Sequence, residues 1–453
     1  MAFKKDFAWG IATASYQIEG AYNEDGRGLS IWDVYCREDG RVFHNHNGDV
    51  ACDHYHRFRE DIKIMKEIGV KAYRFSISWT RIFPNGIGEI NEKGVNFYRE
   101  LIDELLKNGI EPYITLYHWD YPYELHKKGG WLNPESVDWF TQYAKKVTEL
   151  YSDKVKYFIT FNEPQAFIGQ GYVTGMHAPG TKYEKKEIFQ ICHNVLKAHG
   201  SAVKAMRKAA LQDIKIGYAP TGTAHYPLTE TPEDIEATRK AFFTCEGLGN
   251  YMQSVSWWSD PVILGKYPED GLRIFKDYLP EITEEDMLLI SQPIDFYGQN
   301  IYQGRPVKKG KNTDFEIVPL PQGYTKTAAQ WPVTPKSLYW APKFLYERYK
   351  LPIFITENGM SAHDMISLDG KVHDPNRIDF LERYLAELEK STDDGVDIDG
   401  YFIWTLLDDF EWATGYTDRF GLVYVDFATQ ERTLKDSAYW YKEWIRLKEK
   451  GTV

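Results

Sequence analysis

Short apolar runs recur along the whole chain, and a longer amphipathic segment follows each of them. The runs are rich in β-branched and aromatic residues, as buried strands are, whereas the segments between them carry apolar residues at three- and four-residue spacing, as helices do. This alternation predicts strands joined by helices that pack on a parallel sheet. The predicted strands lie near residues 7–12, 72–77, 112–116, 155–161, 214–219, 294–298, 353–356 and 400–404.

Two of the predicted helices, 57–68 and 94–108, have clear C-terminal ends, because Gly69 or Gly109 stands just past the last apolar position. Eight strands that alternate with helices are typical of a closed (β/α)8 or TIM barrel, and an open doubly wound sheet is the alternative. The barrel is favoured because nearly every strand ends in a polar or aromatic cluster, and no glycine-rich phosphate-binding loop appears. No linker-like tract divides the chain, so residues 1–453 are predicted to form a single α/β domain.

Two of the predicted strands end in the same way. The runs at 158–164 and 353–359 are apolar and β-branched, and each stops abruptly at a glutamate, Glu163 or Glu357, that has an asparagine beside it. A carboxylate at the end of a buried strand costs desolvation energy unless it has partners, and for one such residue a helix cap or an ion pair is the ordinary explanation. Two strand-end glutamates in such similar surroundings instead favour the paired carboxyl groups of glycoside hydrolysis.

Hydrogen-bonding and aromatic side chains follow most of the other predicted strands as well. Barrel enzymes build their active sites at the C-terminal ends of the strands, so these groups predict a polar pocket with aromatic walls at that end. They include Gln17, Arg74, Trp79, His118, Trp119, Asp120, Asn162, Asn300, Tyr302, Trp404, Glu411 and Trp412.

Composition narrows the range of ligands. The chain has 14 Trp, 32 Tyr and 24 Phe, which fits either a large aromatic core or the stacking of rings on sugars. The formal net charge of −12 argues against nucleic acid and against anionic membranes as partners.

Cysteine and histidine usage predicts a cytoplasmic protein without a metal. The four cysteines form no C-x-x-C pair, which fits reduced thiols better than a disulfide framework. No signal peptide is predicted, and no apolar run approaches the roughly 20 residues that a membrane-spanning helix needs. The close pairs His44/His46 and His54/His56 lack a third ligand at zinc spacing, so they are expected at the surface or at a helix start.

The motifs resemble those of glycoside hydrolase family 1, the retaining β-glucosidases. Residues 160–164 (Thr-Phe-Asn-Glu-Pro) and 355–359 (Ile-Thr-Glu-Asn-Gly) are similar to the two signatures of that family, and the resemblance extends over essentially the whole chain. It implies a (β/α)8 barrel, no cofactor, and hydrolysis of terminal β-linked sugars with retention. The expected substrates are small β-glycosides and cello-oligosaccharides carrying β-glucosyl and also β-galactosyl or β-fucosyl units, with transglycosylation where a sugar competes with water.

The resemblance also assigns roles by position. Glu163 is similar to the general acid/base and Glu357 to the nucleophile, while Arg74 and Tyr302 match the arginine and tyrosine that hold the nucleophile. Trp331 matches the usual platform for the leaving group, although loop packing explains it equally well. The residues implied to hold the terminal sugar are Gln17, His118, Asn162, Glu411 and Trp412, with Trp404 as the stacking floor.

Two positions depart from the family pattern, and two other functions compete. Ile301 and Asp409 stand where tyrosine and asparagine are common, which leaves the local hydrogen bonding open. A 6-phospho-β-glucosidase is disfavoured because Glu411 would repel a phosphate, and a non-catalytic sugar-binding barrel is disfavoured because Glu163 and Glu357 are both present. The preference between glucosides and galactosides, and assembly as a homo-oligomer, stay open.

Overall fold

A computed structural model of the protein describes residues 3–246 and 251–450. Eight parallel strands close into a barrel in which each strand is hydrogen-bonded to its neighbours in the chain, and the last strand pairs with the first. This confirms the predicted barrel and excludes the open sheet. The strands are β1 (Ala8–Ala12), β2 (Ala72–Ser76), β3 (Glu111–Tyr117), β4 (Tyr157–Asn162), β5 (Lys215–Ala219), β6 (Phe296–Asn300), β7 (Ile353–Asn358) and β8 (Ile398–Trp404).

The α-helices surround the barrel or lie in the loops that follow its strands. No helix among residues 3–246 and 251–450 is both long and apolar enough to cross a membrane. In chain order the helices are α1 (Ser15–Ile18), α2 (Ile31–Tyr35), α3 (His54–Ile68), α4 (Trp79–Ile82), α5 (Glu92–Lys107), α6 (Tyr123–His126), α7 (Ser136–Tyr151), α8 (Pro164–Ile168), α9 (Lys185–Ala209), α10 (Pro232–Phe243), α11 (Val255–Leu264), α12 (Glu269–Phe275), α13 (Glu284–Ile290), α14 (Ser337–Tyr349), α15 (Pro375–Asp393) and α16 (Asp436–Glu449).

Short elements complete the loops. A π-helix spans Gly169–Thr174, and single 3-10 turns span Phe43–Asn45, Gly130–Leu132, Tyr251–Gln253 and Trp412–Thr414. Within residues 3–246 and 251–450, two small sheets lie outside the barrel. One joins Tyr226–Pro227, Pro306–Lys308 and Glu316–Ile317, and the other pairs Val423–Val425 with Arg432–Leu434.

The two predicted helix ends are confirmed. Helix α3 ends at Gly69, which adopts a left-handed conformation with φ 85° and donates its N–H back to the carbonyl of Met65. Helix α5 ends before Gly109, which has φ 74°. Glycine takes this conformation without the strain that a Cβ atom would add, which is why it marks helix ends in the sequence.

Aromatic rings fill the interior of the barrel away from the polar strand ends. Tyr113 stacks on Tyr157 at 4.2 Å between ring centroids and meets Phe402 edge-on at 5.0 Å, while Phe296 and Phe354 lie 4.8 Å apart. These side chains are buried or nearly so, and each ring removes a large apolar area from water. The packed aromatic layer is a rigid base for the polar groups at the other end of the strands.

The ladder of hydrogen bonds is irregular next to both predicted catalytic residues. The register between β4 and β5 shifts between Ile159 and Asn162, and that between β6 and β7 shifts between Ile355 and Glu357. Such bulges re-aim side chains and are common beside active sites. The two glutamates therefore occur where the sheet departs from regular geometry.

Candidate active site

A cavity of about 490 Å³ opens at the C-terminal ends of the strands. A larger groove of about 1150 Å³ lies among the outer helices and contains none of the predicted site residues, so volume alone does not locate the site. Of the eleven predicted residues, Gln17 and Arg74 lie directly behind the cavity wall, where they bond to residues that line it. The nine that line it are His118, Asn162, Glu163, Tyr302, Trp331, Glu357, Trp404, Glu411 and Trp412.

Glu357 is held by two donors, one on another strand and one in the loop after β6. Arg74 donates to its Oε1 at 2.6 Å from β2, and Tyr302 donates to its Oε2 at 2.7 Å from the loop after β6. The same guanidinium donates to the carbonyl of Thr356 at 3.0 Å and to the side chain of Asn162 at 2.7 Å. Glu357 is 3% exposed, so the hydrogen bonds from these two donors replace those that water would make to its charge.

The side-chain donors to Glu163 are neutral. Asn300 Nδ2 donates to Glu163 Oε1 at 2.7 Å, and the backbone N–H of Glu163 donates to the carbonyl of Ala219 at 2.8 Å. The residue caps helix α8 in a left-handed conformation, with φ 44°. Pro164, the first helical residue, stops β4 and turns the chain, so that the glutamate side chain reaches the cavity.

The two glutamates differ in what shifts their pKa values. Burial raises the pKa of both carboxyl groups above the ordinary range of glutamate. The negative charge of Glu357 raises the pKa of Glu163 further, to about 8. For Glu357 the next causes act in the opposite direction, because Arg74 and Tyr302 favour its ionised form. A proton shared by the pair therefore resides on Glu163.

Asn162 connects these groups to His118. Its Oδ1 accepts from Arg74 and, at 3.0 Å, from Asn300, so its Nδ2 faces His118 Nε2 at 3.0 Å. That nitrogen must accept, which places the imidazole proton on Nδ1. Burial and the charge of Arg74 lower the pKa of His118 well below its usual value, so the ring is neutral.

The other end of the cavity is acidic. Gln17 Nε2 donates to the carbonyl of Phe410 at 2.9 Å and to Glu411 Oε2 at 3.1 Å, while its Oε1 is buried without a partner among the described residues. Burial raises the pKa of Glu411 to about 8, with Asp418 and Glu357 as further causes. A free amide oxygen and a carboxyl group at one place suit the hydroxyl groups of a sugar.

Four tryptophans and a histidine form the aromatic walls. His118 lies between Trp404 and Trp412, at 5.6 Å and 6.1 Å between ring centroids, and Trp412 contacts Trp119 at 4.6 Å. Trp331 packs on Tyr302 at 5.0 Å and lines the cavity. Flat apolar faces next to hydrogen-bonding groups are the surface that a pyranose ring requires.

Backbone strain also concentrates here. Trp119, Glu163, Gln330 and Trp412 line the cavity, and all four have positive φ angles, of 81°, 44°, 63° and 50°. Non-glycine residues adopt this conformation at a cost of order 1–3 kcal/mol each, and they cluster at functional sites where the surrounding structure holds them. The strain supports the assignment of this cavity as the functional one.

Both departures from the family pattern have a structural explanation. The side chain of Ile301 is fully buried, and only its backbone takes part in the site: its N–H donates to the carbonyl of Glu357, and its carbonyl accepts from Asn358. Asp409 is also fully buried, with Gln17 as a distant donor to its Oδ1 at 3.5 Å and with Oδ2 unpartnered among the described residues. Burial and the charge of Glu411 raise its pKa well above the usual range, so Asp409 keeps a proton, as an asparagine keeps its N–H.

The glycine of the second motif has a steric role. A Cβ atom on Gly359 would lie 2.0 Å from the carbonyl oxygen of Trp404, so no other residue fits between the ends of β7 and β8. The close approach brings Trp404 next to Glu357.

The histidine pairs lie away from the cavity. His54 begins α3 and shares a hydrogen bond with Asp61 at 2.7 Å, and His56 and His44 are exposed. Within residues 3–246 and 251–450, no group of three or more metal-ligating side chains occurs.

Sequence reasoning placed Asn300 and Trp119 in the predicted pocket without assigning them a role, and the structure makes Asn300 the donor to Glu163 and Trp119 part of the cavity wall. It missed Gln170 and His177, which also line the cavity. No signal in the sequence indicated these two residues, since they lie in the loop after β4, where no strand pattern applies.

Comparisons with known proteins agree with this geometry. The family model described as glycosyl hydrolase family 1 matches residues 1–450. β-Glucosidase A of Acetivibrio thermocellus is 46% identical over 452 residues, which cover 98% of each chain. An aryl-phospho-β-D-glucosidase of Bacillus subtilis is 38% identical over 477 aligned positions, covering 98% of this chain and 97% of the relative.

A solved structure gives the same result. The β-glucosidase of Thermotoga maritima in complex with glucoimidazole superposes with a TM-score of 0.89 at 44% identity, covering 98% of both chains. The chain therefore matches known proteins in fold, in length and in sequence motifs, which is sufficient to assign its family. It belongs to glycosyl hydrolase family 1 and is a glycosidase.

Proposed function

We propose that the protein is a retaining β-glucosidase that removes terminal β-D-glucosyl units from cello-oligosaccharides and aryl glucosides by double displacement. In the first step the Glu357 carboxylate attacks the anomeric carbon, while Glu163 gives its proton to the leaving oxygen. In the second step Glu163, now ionised, takes a proton from water, which attacks the same carbon and releases Glu357. No other group is needed to balance the reaction.

The observation that carries this proposal is the opposite surroundings of the two buried carboxyl groups. Glu357 accepts hydrogen bonds from a cation and a phenol, which suits an ionised nucleophile, and Glu163 has only uncharged donors and a pKa of about 8, which suits a proton donor. A symmetric pair could not act as nucleophile and acid at one pH.

The acidic end of the cavity supports a terminal sugar with free hydroxyl groups. Gln17, His118, Asn162 and Glu411 would bond the hydroxyls, with Trp404 and Trp412 against the ring. The same groups fit β-D-galactosyl and β-D-fucosyl units, since galactose differs from glucose only in the orientation of the 4-hydroxyl and D-fucose is galactose without the 6-hydroxyl. Trp331 would form the platform for the leaving group, and transglycosylation would follow when a second sugar takes the place of water there.

A second candidate is hydrolysis of 6-phosphorylated glucosides. The aryl-phospho-β-D-glucosidase relative gives this alternative weight. The lining opposes it, because the end of the cavity that a phosphate would enter carries Glu411 and Asp418, and no cation is bonded to Glu411 among the described residues. Unphosphorylated glucosides are therefore the proposed substrates.

The proposal is tested with p-nitrophenyl β-glucoside, β-galactoside and β-glucoside 6-phosphate. The wild type should hydrolyse the first two, and Glu357→Ala should lose activity by about four orders of magnitude or more. Added azide should restore turnover in that variant with inverted product, since the anion fits the space of the lost carboxylate. Faster turnover of the phosphorylated substrate would contradict the assignment of Glu411, and sugar binding without turnover would indicate a binding protein.

A further inference from the structure

The loop that follows Glu163 returns to the active-site cavity. Helix α8 continues directly into the π-helix Gly169–Thr174, and the backbone N–H of His177 then donates to the carbonyl of Gln170 at 3.1 Å. Gln170 and His177 both line the cavity, together with Glu163. Turns of π-helix are rare and occur frequently at functional sites. The steps proposed above use neither residue.

His177 is a buried residue whose two ring nitrogens both lack a hydrogen-bond partner among the described residues. Its ring is packed against Trp32, Trp119 and Trp412, at 5.3 Å, 5.6 Å and 6.5 Å between centroids. Nδ1 is enclosed and has no partner among the described residues, whereas Nε2 is not enclosed and makes no hydrogen bond with them either. Because His177 lines the cavity, its nitrogen that is not enclosed can be satisfied there by a ligand or by water.

The ring acts as a neutral group. Burial lowers the pKa of His177 to about 3, so one nitrogen carries a proton and the other accepts. Gln170 adds an amide whose side chain makes no hydrogen bond with the described residues. Together the two side chains offer donors and acceptors without charge, which is what the hydroxyl groups of a neutral sugar require.

Position indicates which part of the substrate they meet. Glu163 must reach the leaving oxygen, and Gln170 and His177, on the segment that continues from it, line the same cavity. Trp331, on the loop after β6, would supply an aromatic face to the leaving group. An aryl leaving group needs only the face, but a sugar also needs partners for its hydroxyls.

We propose that His177 and Gln170 form the hydrogen-bonding part of the leaving-group site, and that they favour a sugar over an aryl group there. This inference rests on the β-glucosidase function proposed above. It assigns specificity, rather than catalysis, to the loop between Glu163 and α9.

The test compares two substrates that share the terminal glucose and differ in the leaving group, cellobiose and p-nitrophenyl β-glucoside. His177→Phe keeps a ring against the three tryptophans but removes both nitrogens. We expect the kcat/KM of this variant for cellobiose to fall about tenfold, which is the effect of losing a hydrogen bond between neutral groups. The loss should appear as a rise in KM more than as a fall in kcat. The kcat/KM for the aryl glucoside should stay within about twofold of the wild-type value. His177→Asn should recover part of the cellobiose activity, and Gln170→Ala should lose it selectively.

His126→Ala is the matched control, since this histidine also has an enclosed, unpartnered Nδ1 but does not line the cavity, and it should alter neither substrate. Equal losses on both substrates would assign His177 to wall packing, and an unchanged cellobiose rate would remove it from the site; either result overturns the proposal. If His177→Phe does not fold, Gln170→Ala alone decides in the same way. A wild type that hydrolyses neither substrate would refute the β-glucosidase function itself.

Discussion

The buried carboxylates on the two sides of the loop after β8 lie in opposite surroundings. On one side Asp364, Asp374 and Asp408 form a charge cluster with Arg377, Arg419 and Lys435. Lys435, fully buried, donates to Asp364 at 2.5 Å and to Asp408 at 2.6 Å, and Arg419 donates to Asp408 at 2.7 Å. On the other side the pocket carboxyls, Glu163, Glu357, Asp409 and Glu411, share a single cation, Arg74, among the described residues.

The pKa values follow this difference. Burial would raise the pKa of Asp364, but Arg377 and Lys435 outweigh it and lower the value. In the pocket, burial raises the pKa of Glu163 and Glu411 to about 8, because too few cations oppose it. Asp408 and Asp409 are consecutive residues with different partners. Asp408 accepts hydrogen bonds from two cations and a backbone N–H, whereas Asp409 has none of these. The carboxylates that are paired with cations hold the loop. The pocket carboxyl groups, which have too few cations, remain available to bind protons and sugar hydroxyls.

The largest effect should come from removing the proton donor. We expect Glu163→Gln to lower kcat for cellobiose by about 10²–10⁴, and to lower it far less for a dinitrophenyl glucoside, whose leaving group needs no proton. The wild-type rate should fall as pH rises through about 8, since Glu163 then loses its proton, and this limb should vanish in the variant. A pH–rate profile of both proteins tests this, and equal losses on the two substrates would contradict it.

The next effect concerns stability and the charge cluster. Lys435→Met leaves Asp364 and Asp408 without their shared cation, and breaking a buried ion pair in this way costs about 3–5 kcal/mol. Urea denaturation should therefore show a clearly lower midpoint. Lys442→Met, an exposed position on α16, is the control and should leave the midpoint unchanged. A stable Lys435→Met protein would mean that the cluster does not hold the loop.

Glu411→Gln should act on stability in the opposite direction, and only at high pH. At pH values between the ordinary pKa of glutamate and about 8, Glu411 keeps a proton in the folded protein that it has lost in the unfolded chain. Its contribution to the free energy of unfolding therefore falls as pH rises. Glutamine has no proton to lose. We expect equal melting temperatures for variant and wild type at pH 5 and a higher one for the variant at pH 9, together with weaker sugar binding. A difference that does not depend on pH would argue against a raised pKa.

The smallest effect is expected for Asp409→Asn, because an amide closely replaces a carboxyl group that already keeps its proton. Activity at pH 6 should change less than about threefold, and the melting temperature should not fall. Asp408→Asn is the matched neighbour, and it should destabilise the protein strongly by weakening the bonds from Arg419 and Lys435. Similar behaviour of the two variants would remove the contrast between the two regions.

Much of the fold could be predicted from local pattern. Each predicted strand overlaps a barrel strand, and the ends of α3 and α5 follow from Gly69 and Gly109. The eleven predicted site residues lie at the cavity because parallel strands bring their C-terminal ends to one face. Gln170 and His177 could not be found in this way, since the loop that carries them has no periodicity, and its path depends on a π-helix and on contacts with distant tryptophans.

The sequence by itself therefore determined the barrel and the placement of Glu163 and Glu357 at the C-terminal ends of its strands, because hydrophobic periodicity and strand termination are properties of neighbouring residues. Only the tertiary structure decided which carboxyl keeps a proton and which one anchors a loop. Arg74 is 283 positions from Glu357, and Lys435 is 27 positions from Asp408, so the charges that separate these roles come from remote parts of the chain. Burial and the distance to a cation set the protonation state, and neither can be read from the residues on either side.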